Sequence, residues 1–316
     1  MVADNHTSPE DMMSDHGETP IVAAEFTTPE GMRLATDIAG DPWRPRLIFV
    51  HGGGQSRRSW RRALRNMANA GFSVVSFDLR GHGESAWAED GDYTLEAHVR
   101  DLTAIIDAMP STPSLVGASL GGRVALDAAA RLGPERVRAL VLVDLTPKLN
   151  EAGIRRVENF LEFSVNGFDT LEDAADTLEK YAERQIGHNI FRLRSSIRTC
   201  TDGRIFWRWD PKAAASQYLS QPDIAPKLAA ATASLKMPTL LVRGTKSDLV
   251  TDDCVAHFRE CLPTAEVFDI EGGGHLMKTQ DLRVFCDGTM DFLRRVNGMA
   301  PDPSEPSDSK TRRFSL

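Results

Sequence analysis

The sequence predicts an α/β protein: a mostly parallel central sheet, helices on both faces, and a helical segment inserted between two strands. Three features carry this. Short apolar runs alternate with stretches of helical period, as parallel strands joined by crossover helices require. Glycine or proline closes several of the helical stretches. The rhythm breaks at Pro147 and resumes near Thr239, and the residues between hold helical patterns without a good strand run.

Val22–Thr27 and Met32–Ile38 read as a leading hairpin turned at Pro29-Glu30-Gly31. Leu47–Val50 is a buried strand followed by a glycine run, and Arg57–Ala70 a helix ending at Gly71. Ser73–Phe77 is the next strand, and Thr94–Met109 a helix stopped by Pro110. Ser114–Gly117 is a strand, Leu120–Leu132 a helix stopped by Gly133-Pro134, and Val137–Val143 a further buried strand. After the insertion, Thr239–Val242, Asp252–Cys261, Glu266–Ile270 and Asp281–Val296 read as strand, helix, strand and helix. The expected organisation is a core of residues 21–147 and 237–297, a helical cap over 148–236, and polar tails, 1–20 and 298–316, with little to bury.

Composition narrows the function. The 316 residues are 41% hydrophobic and 26% charged, as in a soluble globular protein, with a net charge of −8. A non-specific nucleic-acid binder is normally basic, so nucleic acid is not an expected partner. No stretch approaches the ~18 apolar residues of a membrane span. The first twenty residues lack a basic stretch leading into an apolar run, so a secretory signal is not expected and the cytoplasm is the expected location. Cys200, Cys254, Cys261 and Cys286 form no CxxC pair and read as reduced thiols, not as a zinc or redox site.

The chemistry concentrates in Gly117-Ala118-Ser119-Leu120-Gly121. This G-x-S-x-G run lies between a strand and a helix, where a sharp strained turn lifts a serine hydroxyl to the carboxyl end of a sheet. Small neighbours permit the turn, and Gly117, Gly121 and Gly122 supply them. The following helix sets a positive dipole end beside the serine.

With His51-Gly52-Gly53-Gly54, Asp78-Leu79-Arg80-Gly81-His82-Gly83-Glu84-Ser85, Arg243–Leu249 and Gly274-His275 in the same order, the chain resembles the α/β-hydrolase superfamily over residues 21–147 and 237–296. The run His51…Ser56…Trp60 is most similar to the branch of enol-lactonases, cofactor-free haloperoxidases (perhydrolases) and capped esterases. The resemblance implies Ser119 as nucleophile and His275 as base on the loop after the last strand. It also implies backbone N–H donors from Gly53 and Leu120 as the oxyanion hole. A base of this kind needs a carboxylate on its second nitrogen. Asp248 is the expected acid, in the order Ser119, Asp248, His275. Asp144, at the end of the preceding strand, occupies a position that some family members use, and Asp252 reads as part of a helix cap. Serine at position 119 argues against haloalkane dehalogenases and most epoxide hydrolases of this fold, which resemble the chain elsewhere but use aspartate there.

Gly54, Trp60, Phe206, Trp207 and Trp209 are candidate walls of a substrate pocket. His82 reads as structural, and Arg57, Arg58, Arg61, Arg62 and Arg65 as a solvated helix face. The leading function is hydrolysis of a carboxylic ester or lactone of a small to medium, largely apolar molecule, with no metal or organic cofactor implied. The same triad serves perhydrolases, C–C bond hydrolases and some lyases, and a ligand-binding receptor on this scaffold is a further alternative. Oligomeric state is left open.

Overall fold

A computed structural model of the chain describes residues 19–182, 193, 196–214, 222–275, 279–300 and 314–315. The first eighteen residues and 301–313, most of the expected tails, lie outside the described residues.

One sheet organises the molecule. Strands β3 (Arg46–Val50), β4 (Ser73–Phe77), β5 (Ser114–Ala118), β6 (Ala139–Val143), β9 (Thr239–Gly244) and β10 (Glu266–Ile270) run parallel. β1 (Ile21–Thr27) and β2 (Arg33–Ala39) form the leading hairpin and join β4 antiparallel. The order is β1-β2-β4-β3-β5-β6-β9-β10, with Phe314–Ser315 as a short antiparallel edge strand, β11, beside β10. That last pairing departs from the structureless tail expected there. Strands β3, β4, β6 and β9 are buried at every residue, which is why they read as unbroken apolar runs and not as alternating ones.

Each face of the sheet has its own core. Helices α1 (Arg61–Asn69) and α8 (Thr279–Val296) cover one face, with Leu64, Met67, Phe285 and Phe292 fully buried. Helices α2 (Leu95–Asp107), α3 (Leu120–Leu132) and α7 (Asp252–Cys261) cover the other, through Leu102, Val124 and Phe258. The expected helix over Arg57–Ala70 divides into a 3-10 turn at Arg57–Trp60 and then α1.

Between β6 and β9 the chain forms α4 (Glu151–Val165), α5 (Leu171–Ala182), a small hairpin of β7 (Ile197–Thr199) and β8 (Ile205–Trp207), and α6 (Ile224–Ser234). Two expectations change here. The insertion was read as free of strands, yet β7 and β8 pair; at three residues each they are too short to give a period. The expected boundary of 236 also takes in α6, whose Leu228 packs into the main core beside α3, so α6 is a crossover helix of the sheet. The rest has its own small core around Phe160, Phe168 and Trp207. It is tied to the sheet by backbone bonds from Gly83 N–H to the Arg208 carbonyl and from Asp210 N–H to the Gly81 carbonyl, both 2.7 Å. Tyr93 adds a 2.5 Å hydrogen bond from its hydroxyl to Asp210 Oδ2.

Candidate active site

The strand order turns back between β3 and β5, and ligands of open α/β sheets bind beyond the carboxyl ends at such a point. Ser119 stands there, between β5 and α3, with φ 48° and ψ −114°. A non-glycine residue in that region is strained and is held only by rigid surroundings. Here the surroundings are tight: a Cβ on Gly117 would run into the Gly121 carbonyl, and one on Gly121 into the carbonyls of Val50 and His51.

The loop after β3 is fixed by His51. Its ring is fully buried, and its Nε2 accepts the Leu79 N–H at 2.9 Å. The remaining proton therefore sits on Nδ1, which donates to the Gly52 carbonyl at 2.8 Å. Burial holds His51 down to about 4, so it stays neutral and works as a peg for Gly52–Gly54. Gly53, Ser119 and Leu120 line one cavity of about 20 Å³ with Arg123, Val157, Phe160, Leu161 and Tyr181. Leu120 opens α3, so its N–H has no carbonyl within the helix to bind.

His275 meets a different carboxylate from the one expected. Its Nδ1 lies 2.6 Å from Asp144 Oδ2, and both side chains are almost wholly buried. Asp144 follows β6 and, with φ 49°, shares with Ser119 the distinction of positive φ among described non-glycine residues. The same Oδ2 accepts the Ser247 hydroxyl at 2.7 Å. Asp248 is turned the other way and pairs with Arg156 of α4. The physical reason is local. Gly153 packs so closely on the backbone of Asp248 and Leu249 that a Cβ would collide with it, which brings the next turn of α4, and Arg156, over Asp248. From the motif expected to carry the acid, Ser247 reaches the site in place of Asp248. Asp252 is the first residue of α7, after Thr251 at the cap position, and pairs with Arg243.

The expected pocket walls also change. Trp60 packs between Phe49 and Phe285 in the core under α1. Trp207 lies among Phe160 and Phe168 and donates its Nε1–H to Ser164. Trp209 is buried where the insertion meets His82, and Phe206 lies beneath the Arg198 guanidinium. Gly54 faces Phe160 and Trp209 and is not among the residues lining the Ser119 cavity. Trp60 packs in the core of the sheet domain, and Trp207 and Trp209 in that of the insertion, whose small layer needs aromatic residues for its own packing. Phe160, Tyr181 and Arg123, missed in the sequence, line the cavity instead. Tyr181 stacks on Phe160 at 4.4 Å and turns an edge to the His275 ring at 6.5 Å. Burial raises its hydroxyl, and the Asp248 and Asp144 charges add to this against the pull of Arg156, so it is held as a neutral phenol.

The arginine cluster after Gly52–Gly54 is not a solvated face throughout. Arg57 is buried and binds Asp37 at 3.1 Å, Asp78 at 2.5 Å and Glu84 at 2.6 Å. Asp78 also accepts the backbone N–H groups of Arg57 and Glu84. The Asp78–Ser85 run is thus a strut that fixes the loop beside the site, and His82 within it is buried.

Comparison with known proteins decides the family. The family model for the alpha/beta hydrolase fold matches residues 45–281. The chain belongs to the α/β-hydrolase family. It is 30% identical over 258 residues to the esterase Rv0045c of Mycobacterium tuberculosis, covering 77% of this chain and 80% of that one. A crystal structure of that esterase superposes with a TM-score of 0.65 at 26% identity, over 89% and 94% of the two chains. The mouse sn-1-specific diacylglycerol lipase ABHD11 is 26% identical over 81% of this chain and 83% of its own. The crystal structure of an E-2-(acetamidomethylene)succinate hydrolase matches with a TM-score of 0.74 at 20% identity, over 87% and 99%, a likeness of fold alone. This α/β hydrolase is an enzyme of the esterase-like kind, and among its described residues no helix is long and apolar enough to cross a membrane.

Proposed function

We propose that this hydrolase cleaves a carboxylic ester or lactone through an acyl-enzyme on Ser119. The observation that carries the reading is the strained Ser119 at the helix start, in one cavity with Gly53 and Leu120. His275 Nε2 takes the Ser119 proton as Oγ attacks the carbonyl carbon. Asp144 holds the Nδ1 proton and steadies the imidazolium. The N–H groups of Gly53 and Leu120 receive the oxyanion, each such donor being worth about 3–4 kcal/mol in the transition state. The proton passes to the leaving alkoxide, and His275 then draws a proton from water, which attacks the acyl carbon and frees the acid.

Val157, Phe160 and Leu161 give the cavity an apolar wall, which supports a small to medium substrate with an apolar portion. At about 20 Å³ the cavity holds about one water molecule. Substrate entry therefore requires α4 and α5 to move away from Ser119, so the insertion acts as a cap. Among the protein's relatives are an esterase and a lipase, ester-cleaving enzymes by name.

The test is labelling by a fluorophosphonate probe together with hydrolysis of a panel of short-chain esters. Ser119→Ala is expected to abolish labelling and to lower turnover by roughly 10⁴–10⁶-fold, since members of such a triad act as a unit. Undiminished labelling of Ser119→Ala would remove the nucleophile assignment.

A further inference from the structure

Trp209 has no part in the mechanism above, yet its indole nitrogen faces the loop that carries Gly53. Only 2% of the residue is exposed, and its Nε1–H finds no acceptor among the described residues. A buried tryptophan N–H normally has one, because leaving the bond unmade costs the full desolvation of the donor. Trp207, two residues earlier, follows the rule and donates to the Ser164 hydroxyl at 3.0 Å. Trp60 Nε1 is also without an acceptor, but that ring is enclosed between Phe49 and Phe285 under α1. A Cβ on Gly54 would stand 3.9 Å from Trp209 Nε1 and 3.5 Å from Phe160 Cε1. Glycine at 54, which its φ of 70° also favours, leaves that spot beside the donor clear.

Trp209 belongs to the insertion by sequence but to the sheet domain by its backbone. It bridges His82 antiparallel, and on either side of it the Arg208 carbonyl accepts Gly83 N–H and Asp210 N–H donates to the Gly81 carbonyl. The Tyr93 hydroxyl also holds Asp210. Phe160, by contrast, is carried by α4, where it lines the Ser119 cavity and covers the spot between Gly54 and Trp209. When α4 withdraws to admit a substrate, Phe160 leaves with it while Trp209 keeps its bonds to the Gly81–Gly83 loop. The donor is then uncovered at the edge of the site. The Cα atoms of Gly53 and Gly54 are about 3.8 Å apart, as across any trans peptide. An acceptor that meets Trp209 thus lies a few atoms from a carbonyl oxygen held by the Gly53 N–H. An indole N–H only donates and carries no charge. A neutral carbonyl or ether oxygen satisfies it, and a hydrocarbon leaves it unpaired.

We propose that Trp209 Nε1–H selects esters carrying a second oxygen acceptor, a neutral carbonyl or ether a few atoms from the scissile carbonyl. This rests on the ester-hydrolase reading and deepens it: Gly53 and Leu120 hold the scissile carbonyl oxygen, and Trp209 holds the second oxygen. The acceptor can belong to the acyl or to the alcohol portion, and the shared chemistry is a short ester with a keto or alkoxy group.

The experiment measures kcat/KM for two matched pairs. Ethyl 4-oxopentanoate is set against ethyl 4-methylpentanoate, in which a methyl replaces the oxo oxygen. The acetate ester of 2-methoxyethanol is set against butyl acetate, in which a methylene replaces the ether oxygen. Trp209→Phe keeps an aromatic ring and removes the donor. It is expected to lower the ratio of oxygenated to hydrocarbon ester by about 3–10-fold in at least one pair, the range for loss of a neutral hydrogen bond, mostly through KM. The pair that responds tells which side of the ester faces Trp209. The Trp209 indole N–H resonance in isotope-labelled Ser119→Ala reads the same contact without turnover, and decides the matter if Trp209→Phe fails to fold. It is expected to move downfield with the oxygenated ester and to stay in place with its hydrocarbon partner. A ratio unchanged in Trp209→Phe, or a resonance that answers alike to both members of each pair, would overturn the role of Trp209 and leave its N–H as a donor to buried water only. Fluorophosphonate labelling without turnover of either oxygenated ester would overturn it too. Absence of turnover on all four esters, with no labelling, would instead remove the ester-hydrolase reading beneath it.

Discussion

Replacing Asp144 by asparagine separates the two candidate acids. Asp144 Oδ2 accepts from both His275 Nδ1 and the Ser247 hydroxyl. Asparagine has one acceptor oxygen and an amide that only donates. If the amide nitrogen takes the Oδ2 position, it donates toward both partners: the Ser247 hydroxyl can turn to accept, and His275 Nδ1 must then accept as well. The ring proton moves to Nε2, the nitrogen that has to take the proton from Ser119. The wrong tautomer costs about 10³–10⁴ in kcat, or about 4–5.5 kcal/mol of barrier. Asp248→Asn breaks the pair with Arg156, whose two side chains are 32% and 19% exposed. A partly exposed pair of that kind contributes on the order of 1 kcal/mol, so the rate is expected to fall less than about 10-fold. Steady-state hydrolysis of a p-nitrophenyl ester, with thermal melts to confirm folding, reads both. A crippled Asp248→Asn beside a near-normal Asp144→Asn would refute the reasoning.

Two further predictions concern stability. Arg57→Met leaves Asp37 and Asp78, both fully buried, short of their shared cation, and is expected to cost about 3–5 kcal/mol in urea unfolding; a loss below about 1 kcal/mol would mean that the strut is dispensable. Acid is expected to unfold the protein early, because burial holds His51 at about 4, His82 at about 3 and His98 well below its usual value. Their depressed affinities mean that the unfolded chain binds protons first. Stability is therefore full above pH ~6.5 and falls by up to about 1.4 kcal/mol per pH unit per histidine as pH drops toward 4. Urea titrations from pH 7.5 to 4.5 measure this, His98→Leu should flatten the slope by about a third, and an unchanged free energy across that range would refute it.

Most of the sheet was legible because its strands are buried on both faces and its helices are bounded by glycine and proline. The elbow at Ser119 was legible because it needs small residues at fixed offsets, and the loop of His275 because it has a fixed place in the family's order. The carboxylate beside His275 was not legible. Asp144 and Asp248 both follow strands, and what separates them is side-chain direction, set by Gly153 and Arg156 more than ninety residues before Asp248. The cavity wall was hidden for a related reason. Trp207 and Trp209 are the densest aromatic signal in the insertion, but density marks its own core. Arg57 reads as one of five arginines on a surface helix, and only tertiary contact with Asp37 and Asp78 identifies it as buried.

Asp144, the proposed acid, belongs to the sheet and not to the insertion. β5 and β6 are neighbours in the sheet, and Ser119 and Asp144 stand at their ends, both with positive φ and both locked by backbone packing. The proposed nucleophile and acid are therefore both carried by neighbouring strands in the middle of the sheet. Asp248 sits where the sheet domain meets α4, bound to Arg156, and α4 carries Val157, Phe160 and Leu161 of the cavity wall. On the proposed reading that wall withdraws to admit an ester, which would strain the Arg156–Asp248 pair. Were Asp248 the acid, every opening would disturb the carboxylate that orients His275. With Asp144 in that role, the cap can part from the sheet while the hydrogen bond to His275 stays made. Among the described residues, the Tyr181 edge against the imidazole then couples the position of the insertion to His275.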